Sequence, residues 1–263
     1  MENKIFERLT NDYNKFRELG YEVLGIFLQG SQNYGLEYEN SDIDTKAIII
    51  PSFENICLNE KPSNFTFQEK DGSHCDVKDI REMFKIFKKQ NVNYLEILFT
   101  KYKLINPLYE NIFNQLLENN EKIARYNTVL TVKSIAGMSL DKLKALEHPY
   151  PIWEEHIKKY GYSNKQLHHI IRLNEFIKRY ISGENFADCL ISKNKKYLID
   201  IKANPCYYNL EEAREIANSM HNETWDIKDE YVKNYNGHEL RDIEKLLANV
   251  LTEIIKIYVK ESI

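Results

Sequence analysis

Hydrophobic and polar positions alternate in two regimes along the chain, helical at both ends and extended in between over the first hundred residues. Ile5, Phe6, Leu9, Tyr13 and Phe16 recur at helical spacing, which predicts a helix over 3–18. "YEVLGIFLQG" (21–30) is rich in β-branched and aromatic residues and ends at glycine, so it reads as a strand. "IDTKAIIIP" (43–51) reads as a second strand stopped by Pro51, and 52–70 as an irregular excursion. "SHCDVKD" (73–79) alternates, with His74, Asp76 and Lys78 on one face and Cys75 and Val77 on the other, a third strand. Asp79 with Glu82 three residues on predicts a capping box opening the helix "IREMFKIFKKQ". "NVNYLEILF" (91–99) predicts another helix, capped by Asn91 or Asn93.

Beyond residue 107 strand signals nearly vanish. Helical patterns cover 107–119, 121–146, 163–182, 209–220 and 238–260, with clear breaks at "EHPYP" (147–151) and "ISKNKK" (191–196). "KYLIDIK" (196–202) reads as a short strand or extended segment. The fold class expected is α+β, with a sheet-containing domain over 1–106 followed by a mostly helical domain over 107–263.

Composition narrows the function classes. The 263 residues carry a net charge of −4, which argues against a nonspecific DNA coat yet leaves room for a local basic face. Cys57, Cys75, Cys189 and Cys206 form no C-x-x-C pair and read as free thiols of a reducing cytosol rather than as a zinc site. The charged start "MENKIFERLTNDYNKF" is no signal peptide, and no run of about 18 apolar residues predicts a membrane helix. A cytoplasmic protein without membrane partners is the expectation.

The chemistry concentrates in "LQGSQNYGLEYENSDIDTKAIIIP" (28–51). Asp42 and Asp44 are two residues apart, so within a strand both carboxylates share one face about 7 Å apart along the backbone. Like charges that close are tolerated where a cation or solvent intervenes. Hard cations such as Mg²⁺ take oxygen ligands and keep positions open for phosphate oxygens. Two such ions about 3.5–4 Å apart suit phosphoryl or nucleotidyl transfer. A third carboxylate is then wanted. Asp76, mid-strand, is preferred over Asp79, which has a sufficient role as a helix cap. Gly30 and Ser31 follow a strand and open a helix, where free N–H groups, a hydroxyl and a close backbone approach can cradle phosphate.

These residues resemble the signature of the polymerase-beta-type nucleotidyltransferases, Gly-Ser, a spacer, Asp-x-Asp, then a later strand carboxylate. More narrowly, the chain is similar to a branch of predicted nucleotidyltransferases linked to RNA repair, matched at Gly30, Ser31, Tyr34, Gly35, Ser41, Asp42 and Asp44. "DIREMFKIFKKQNVNYLEILF" (79–99) and "NKQLHHIIRL" (164–173) extend the likeness over about residues 20 to 205. Asn91-Val92 stands where that branch has Asn-Pro, a difference at a turn. The resemblance implies a short mixed sheet with helices behind it and a helical domain closing a cleft. It also implies transfer of a nucleoside monophosphate from a nucleoside triphosphate such as ATP, with Mg²⁺ or Mn²⁺ and release of pyrophosphate. Catalytic and metal-holding roles fall to Asp42, Asp44 and Asp76.

Lys165, His169 and Arg172 lie on one face of a predicted helix. They either contact the triphosphate or form a solvated stripe; His168 reads as packing. With Gly30, Ser31 and Tyr34 they make the candidate nucleotide-binding set. Tyr34 either stacks on a base or fills its turn. Glu96 sits among apolar neighbours in "YLEILF" and needs a partner, through a metal ligand or an ion pair. Lys78, Arg81, Lys85, Lys88 and Lys89, with "KRY" (178–180), "KNKK" (193–196) and eighteen tyrosines, offer surface for RNA. The acceptor expected first is an RNA end, tRNA above all. A protein hydroxyl, a small molecule, or a non-catalytic nucleotide-binding or antitoxin-like module are the alternatives.

Overall fold

A computed structural model describes residues 2–38, 41–151, 153–237 and 241–262. In chain order the elements are α1 (Glu2–Glu18), β1 (Glu22–Gln29), α2 (Ser31–Tyr34), β2 (Asp44–Ile50), α3 (Phe53–Cys57), β3 (Asn64–Gln68), β4 (His74–Asp79), α4 (Ile80–Lys88) and α5 (Val92–Leu95). They continue with β5 (Lys103–Ile105), α6 (Pro107–Glu118), α7 (Asn120–Ala124), α8 (Thr128–Ala145), α9 (Glu154–Tyr160), α10 (Asn164–Ile181), α11 (Phe186–Leu190), α12 (Lys195–Ala203), α13 (Leu210–Asn234) and α14 (Arg241–Ser262). The fold is α+β, as expected: a small mixed five-stranded sheet with flanking helices, followed by a helical region. No described helix is long and apolar enough to cross a membrane.

The chain divides into two compact units. The first comprises Met1–Asn33, Ser41–Asn127 and Glu239–Ile263, so α6, α7 and α14 belong with the sheet. The second comprises Tyr34–Asn40 and Thr128–His238.

In the first unit the strands run β3-β4-β2-β1-β5, with β2 and β4 parallel and every other pair antiparallel. Period-two alternation gives the sheet two characters. One face carries Ile26, Leu28, Ala47, Ile49, Cys75 and Val77, buried against Ile5, Leu9 and Phe16 of α1. At about 25 cal/mol per Å² of apolar surface removed from water, this layer stabilises the packing of α1 on the sheet. The opposite face carries Gln29, Asp44, Lys46, His74, Asp76 and Lys78, aligned by the registers Gln29↔Asp44 and Lys46↔Asp76. Asn106 caps α6 through Leu108 N at 3.1 Å, and Pro107 at the first helical position costs no hydrogen bond.

In the second unit α10 is the central helix. Leu167, Ile170, Leu173, Phe176 and Ile177 are buried, and α8, α11, α12 and α13 pack around it. Asn174 donates to Met220 O and Thr224 Oγ1 of α13 at 3.1 Å each, and Tyr180 donates to Thr131 Oγ1 of α8 at 3.2 Å.

Several elements differ from expectation. Residues 196–202 are helical, within α12, because Leu198 and Ile201 bury at a spacing of three against α10. β3 and α3 occupy the stretch read as irregular, and β5 was not foreseen. β2 begins at Asp44, leaving Asp42 outside the strand. The segment 91–99 is one α-turn followed by a 3₁₀ turn at Glu96–Leu98, and its cap is Asn91, which accepts from Asn93 N. Asp79 caps α4 through Arg81 N at 2.8 Å.

Candidate functional site

The polar face of the sheet is built by the strand ends around Gly30. Gly30 adopts φ +90, where a side chain would strain the backbone, and this turn ends β1 and starts α2. Gln29, the residue before it, pairs with Asp44 across the antiparallel ladder. The Gly-Ser bend and the start of the Asp-x-Asp strand therefore meet at one end of the sheet. Asn33 holds the bend by donating to Leu28 O at 2.8 Å, and Gln32 donates to Asp42 O at 2.7 Å.

A directional hydrogen-bond chain crosses this face. Lys46 Nζ donates to Gln29 Oε1, and Gln29 Nε2 donates to His74 Nε2 at 3.3 Å. His74 Nδ1 then lies 2.9 Å from Asp44 Oδ1, which also accepts from His74 N at 3.0 Å. A ring proton on Nδ1 and a lone pair on Nε2 satisfy every link. Lys46 Nζ also lies 2.9 Å from Glu96 Oε1, so Glu96 finds its partner in a lysine of β2. Asp76 accepts from Tyr94 Oη at 2.5 Å and pairs with Lys78 Nζ at 3.0 Å. Burial pushes the Tyr94 phenol upward, and the Asp76 hydrogen bond and charge add to it. Asp79 is fully buried and pairs with Arg81 at 2.7 Å, so it is a structural cap.

The three aspartates expected to converge form no cluster: among the described residues, no group of three or more His, Cys, Asp or Glu side chains is arranged to hold a metal ion. The physical reason is local. The rule that residues two apart share a face needs both in the strand, and Asp42 precedes β2, exposed in the connecting loop. Asp44 and Asp76 do face the same way, from neighbouring parallel strands, and each carries its own basic partner. The donor chemistry still fits a hard cation of the kind a nucleotide brings with it. Mg²⁺ binds through one or two carboxylates with substrate phosphates filling the remainder. Asp44, half-buried, and Asp42, exposed in the loop before β2, are the carboxylates nearest the Gly-Ser bend in the chain.

No protein-family model matches the chain, and no curated protein matches it. A solved structure, a nucleotidyltransferase-like protein from Exiguobacterium sibiricum 255-15, is similar over 97% of this chain and 91% of that one, at 10% identity and a TM-score of 0.31. A likeness that loose carries no argument about fold or function.

The other candidate residues lie in the second unit. Tyr34 is buried with the Arg172 guanidinium 4.1 Å over its ring. Lys165 lies 5.7 Å from the Trp153 ring, and His169 is half-buried beside it on α10. His168 is buried, with Nδ1 2.9 Å from Leu198 O, a packing role; burial takes its pKa down to about 3. The segment after the Gly-Ser bend is held by cations of this unit. Lys195 Nζ sits where a side chain on Gly35 would go, and Lys202 lies 4.8 Å from the Tyr38 ring and donates to Leu36 O at 3.5 Å.

Sequence reasoning passed over Lys46, His74 and Tyr94 on this face. For Lys46 a signal existed: it is the lone charge in "TKAIII", as Glu96 is in "YLEILF", and two lone charges in apolar segments call for each other.

Proposed function

We propose that the chain is a nucleotidyltransferase acting on a nucleoside triphosphate. In this reading an acceptor hydroxyl bonds to the α-phosphorus, the bond to pyrophosphate breaks, and the hydroxyl proton passes to a base or to water. The observation that supports it is the register Gln29↔Asp44, which brings the Gly30-Ser31 bend beside the first residue of the carboxylate strand. Free N–H groups at such a bend suit a phosphate, and the carboxylates beside it suit the cation a polyphosphate carries. Asp42 and Asp44 would hold Mg²⁺ or Mn²⁺, whose contribution is neutralisation of phosphate charge. Asp76 would join them as the third carboxylate only by giving up its bonds to Tyr94 and Lys78.

An RNA end, tRNA first, is the acceptor this proposal favours, on the exposed Lys85 and Lys88 of α4. A protein hydroxyl or a small molecule would use the same chemistry. The test is incubation with Mg²⁺, labelled nucleoside triphosphates, total RNA and total protein, with pyrophosphate and labelled macromolecule as readouts. Metal-dependent labelling abolished by Asp44→Asn is the expected result; no turnover with any acceptor class removes the proposal.

A second reading has an observation of its own. The pairing of Asp76 with Lys78 and Tyr94 neutralises the carboxylate that catalysis would use. A non-catalytic nucleotide-binding module, antitoxin-like in role, would keep that pairing. Saturable nucleotide binding without pyrophosphate release would favour it.

A further inference from the structure

Asp44 and Asp76 face the same way from neighbouring strands, yet different chemistry holds each of them. Lys78 sets a full ammonium charge 3.0 Å from Asp76 Oδ1. Asp44 Oδ1 instead receives two contacts from His74, the ring Nδ1 at 2.9 Å and the backbone N–H at 3.0 Å. The parallel register Thr45↔Cys75 puts the two residues side by side at the starts of β2 and β4. Two donors of one residue meeting one oxygen fix the plane of the carboxylate, since turning it would misalign both bonds. A carboxylate offers about four lone-pair sites, so one gripped in this way can still ligate a cation. Carboxylates that hold metals are commonly hydrogen-bonded in turn.

The direction of the ring contact is set further in. A lysine ammonium has only protons to give, so the end of Gln29 that faces Lys46 Nζ is its carbonyl oxygen. The amide nitrogen of Gln29 is then the end that stands 3.3 Å from His74 Nε2. It can only donate, so Nε2 accepts and the ring proton is placed on Nδ1, aimed at Asp44. Lys46 cannot turn away, because it is buried and paired with Glu96 Oε1 at 2.9 Å. A sealed ion pair at one end therefore dictates which imidazole nitrogen meets the carboxylate at the other.

We propose that His74 is the positioning residue of Asp44: Lys46 and Gln29 hold its ring with the proton on Nδ1, and that proton holds Asp44 in the orientation in which it takes the divalent cation of a bound nucleotide. The proposal rests on the nucleotidyltransferase reading and adds to it a residue outside the Gly-Ser and Asp-x-Asp pattern. His74 acts through Asp44 alone. Loss of such an outer partner typically weakens metal affinity about 10- to 100-fold.

Two measurements on the full chain test it. Long-range proton–nitrogen NMR of protein with nitrogen-labelled histidine, without metal and at about pH 8, where an ordinary imidazole carries one proton, should show the His74 ring protonated at Nδ1 alone. The signal is assigned by its loss in His74→Asn. A ring protonated at Nε2, or exchanging between the two forms, overturns the assignment. Mn²⁺ affinity in the presence of ATP, read by electron paramagnetic resonance, should fall about 10- to 100-fold in His74→Leu. His74→Asn, whose amide nitrogen takes the place of Nδ1, should restore most of that loss, which a merely structural role would not require. The His74 side chain is 42% exposed, so neither change opens a cavity in the core and both variants should melt close to wild type. Unchanged affinity in His74→Leu, or His74→Asn binding as weakly as His74→Leu, overturns the positioning role and leaves the nucleotidyltransferase reading standing. No Mn²⁺ binding by wild type overturns both. The expected order of affinities without pyrophosphate release removes the enzymatic reading alone.

Discussion

Lys46 Nζ and Glu96 Oε1 stand 2.9 Å apart with their side chains 3% and 2% exposed, an ion pair sealed between β2 and the 3₁₀ turn that ends the segment after α4. Burying two charges costs more than burying none, so the pair is weak evidence of stabilisation as such. Removing one partner is a different matter. Glu96→Leu or Lys46→Met alone should destabilise by about 3–5 kcal/mol, because each leaves an uncompensated charge. The double variant should recover much of that loss. Urea unfolding of the four proteins in a double-mutant cycle measures it, and additive losses would show that the two residues do not act as a pair.

Asp44 holds His74 through two contacts at 2.9 and 3.0 Å while lying beside the Gly-Ser bend. Asp44→Asn keeps an oxygen for the His74 backbone and removes the charge. Pyrophosphate release should fall by about a hundredfold or more, the scale seen when a preorganised electrostatic group is lost. The unfolding midpoint should stay within a few degrees, which about 1 kcal/mol corresponds to in a domain of this size. A circular-dichroism melt beside a pyrophosphate assay separates the two effects.

Tyr94→Phe deletes the hydroxyl that donates to Asp76 at 2.5 Å and leaves the ring under Lys46 and Lys78 in place. A hydrogen bond to a charged group contributes about 1.5–3 kcal/mol, which sets the expected loss in urea unfolding. The same change loosens Asp76. If that carboxylate joins the metal site, Mn²⁺ affinity in the presence of nucleotide should shift by about 10- to 100-fold. Unchanged Mn²⁺ affinity would leave Asp76 with a structural role only.

Gly30 and Gly35 separate backbone strain from crowding. A side chain on Gly30 meets nothing within 4 Å, so Gly30→Ala carries only the strain of φ +90, about 1–2 kcal/mol. Gly35→Ala adds a clash, because its Cβ would lie 2.7 Å from Lys195 Nζ. The end of a lysine is flexible and can move. Gly35→Ala should therefore cost little more than Gly30→Ala by thermal melt, and a much larger loss, relieved by adding Lys195→Ala, would show that Lys195 is held in place.

What the sequence made legible follows from where period and burial agree. β4 was readable because its alternation survives in the chain, and β1 and β2 because they are short β-branched and aromatic runs, buried along nearly their whole length and bounded by Gly30 and Pro51. β3 was not, since its burial alternates between exposed and half-buried and its pattern is diluted by polar neighbours. β5 has three half-buried residues, too few for any period. "KYLIDIK" misled because β-branched residues favour strands until tertiary packing decides, and here Leu198 and Ile201 bury against α10. The candidate carboxylates were legible by identity but not by convergence, because β2 begins two residues after Asp42, which therefore does not join Asp44 on one strand face. That His74 is the partner of Asp44 depends on strand order, and β2 lying parallel beside β4 is a long-range fact that no local window contains, whereas Lys78 stands two residues from Asp76 on β4 itself.

His168 and His169 make the helical unit sensitive to acid. Burial holds both imidazoles below their ordinary range, His168 at about 3, and their rings stand 5.1 Å apart. In the unfolded chain each titrates near 6.5, so between that value and the folded pKa the unfolded state binds more protons. Stability is therefore fully present above about pH 6.5 and is lost as pH falls, by about 1.4 kcal/mol per pH unit for each imidazole. Lys142, Lys165, Arg172 and Lys202 face the pair and oppose its protonation. Urea midpoints taken from pH 7 to pH 4.5 should fall steeply. His168→Asn, which keeps a donor for Leu198 O, should flatten the slope by about one proton's worth. An undiminished slope in that variant would mean that other groups carry the acid sensitivity.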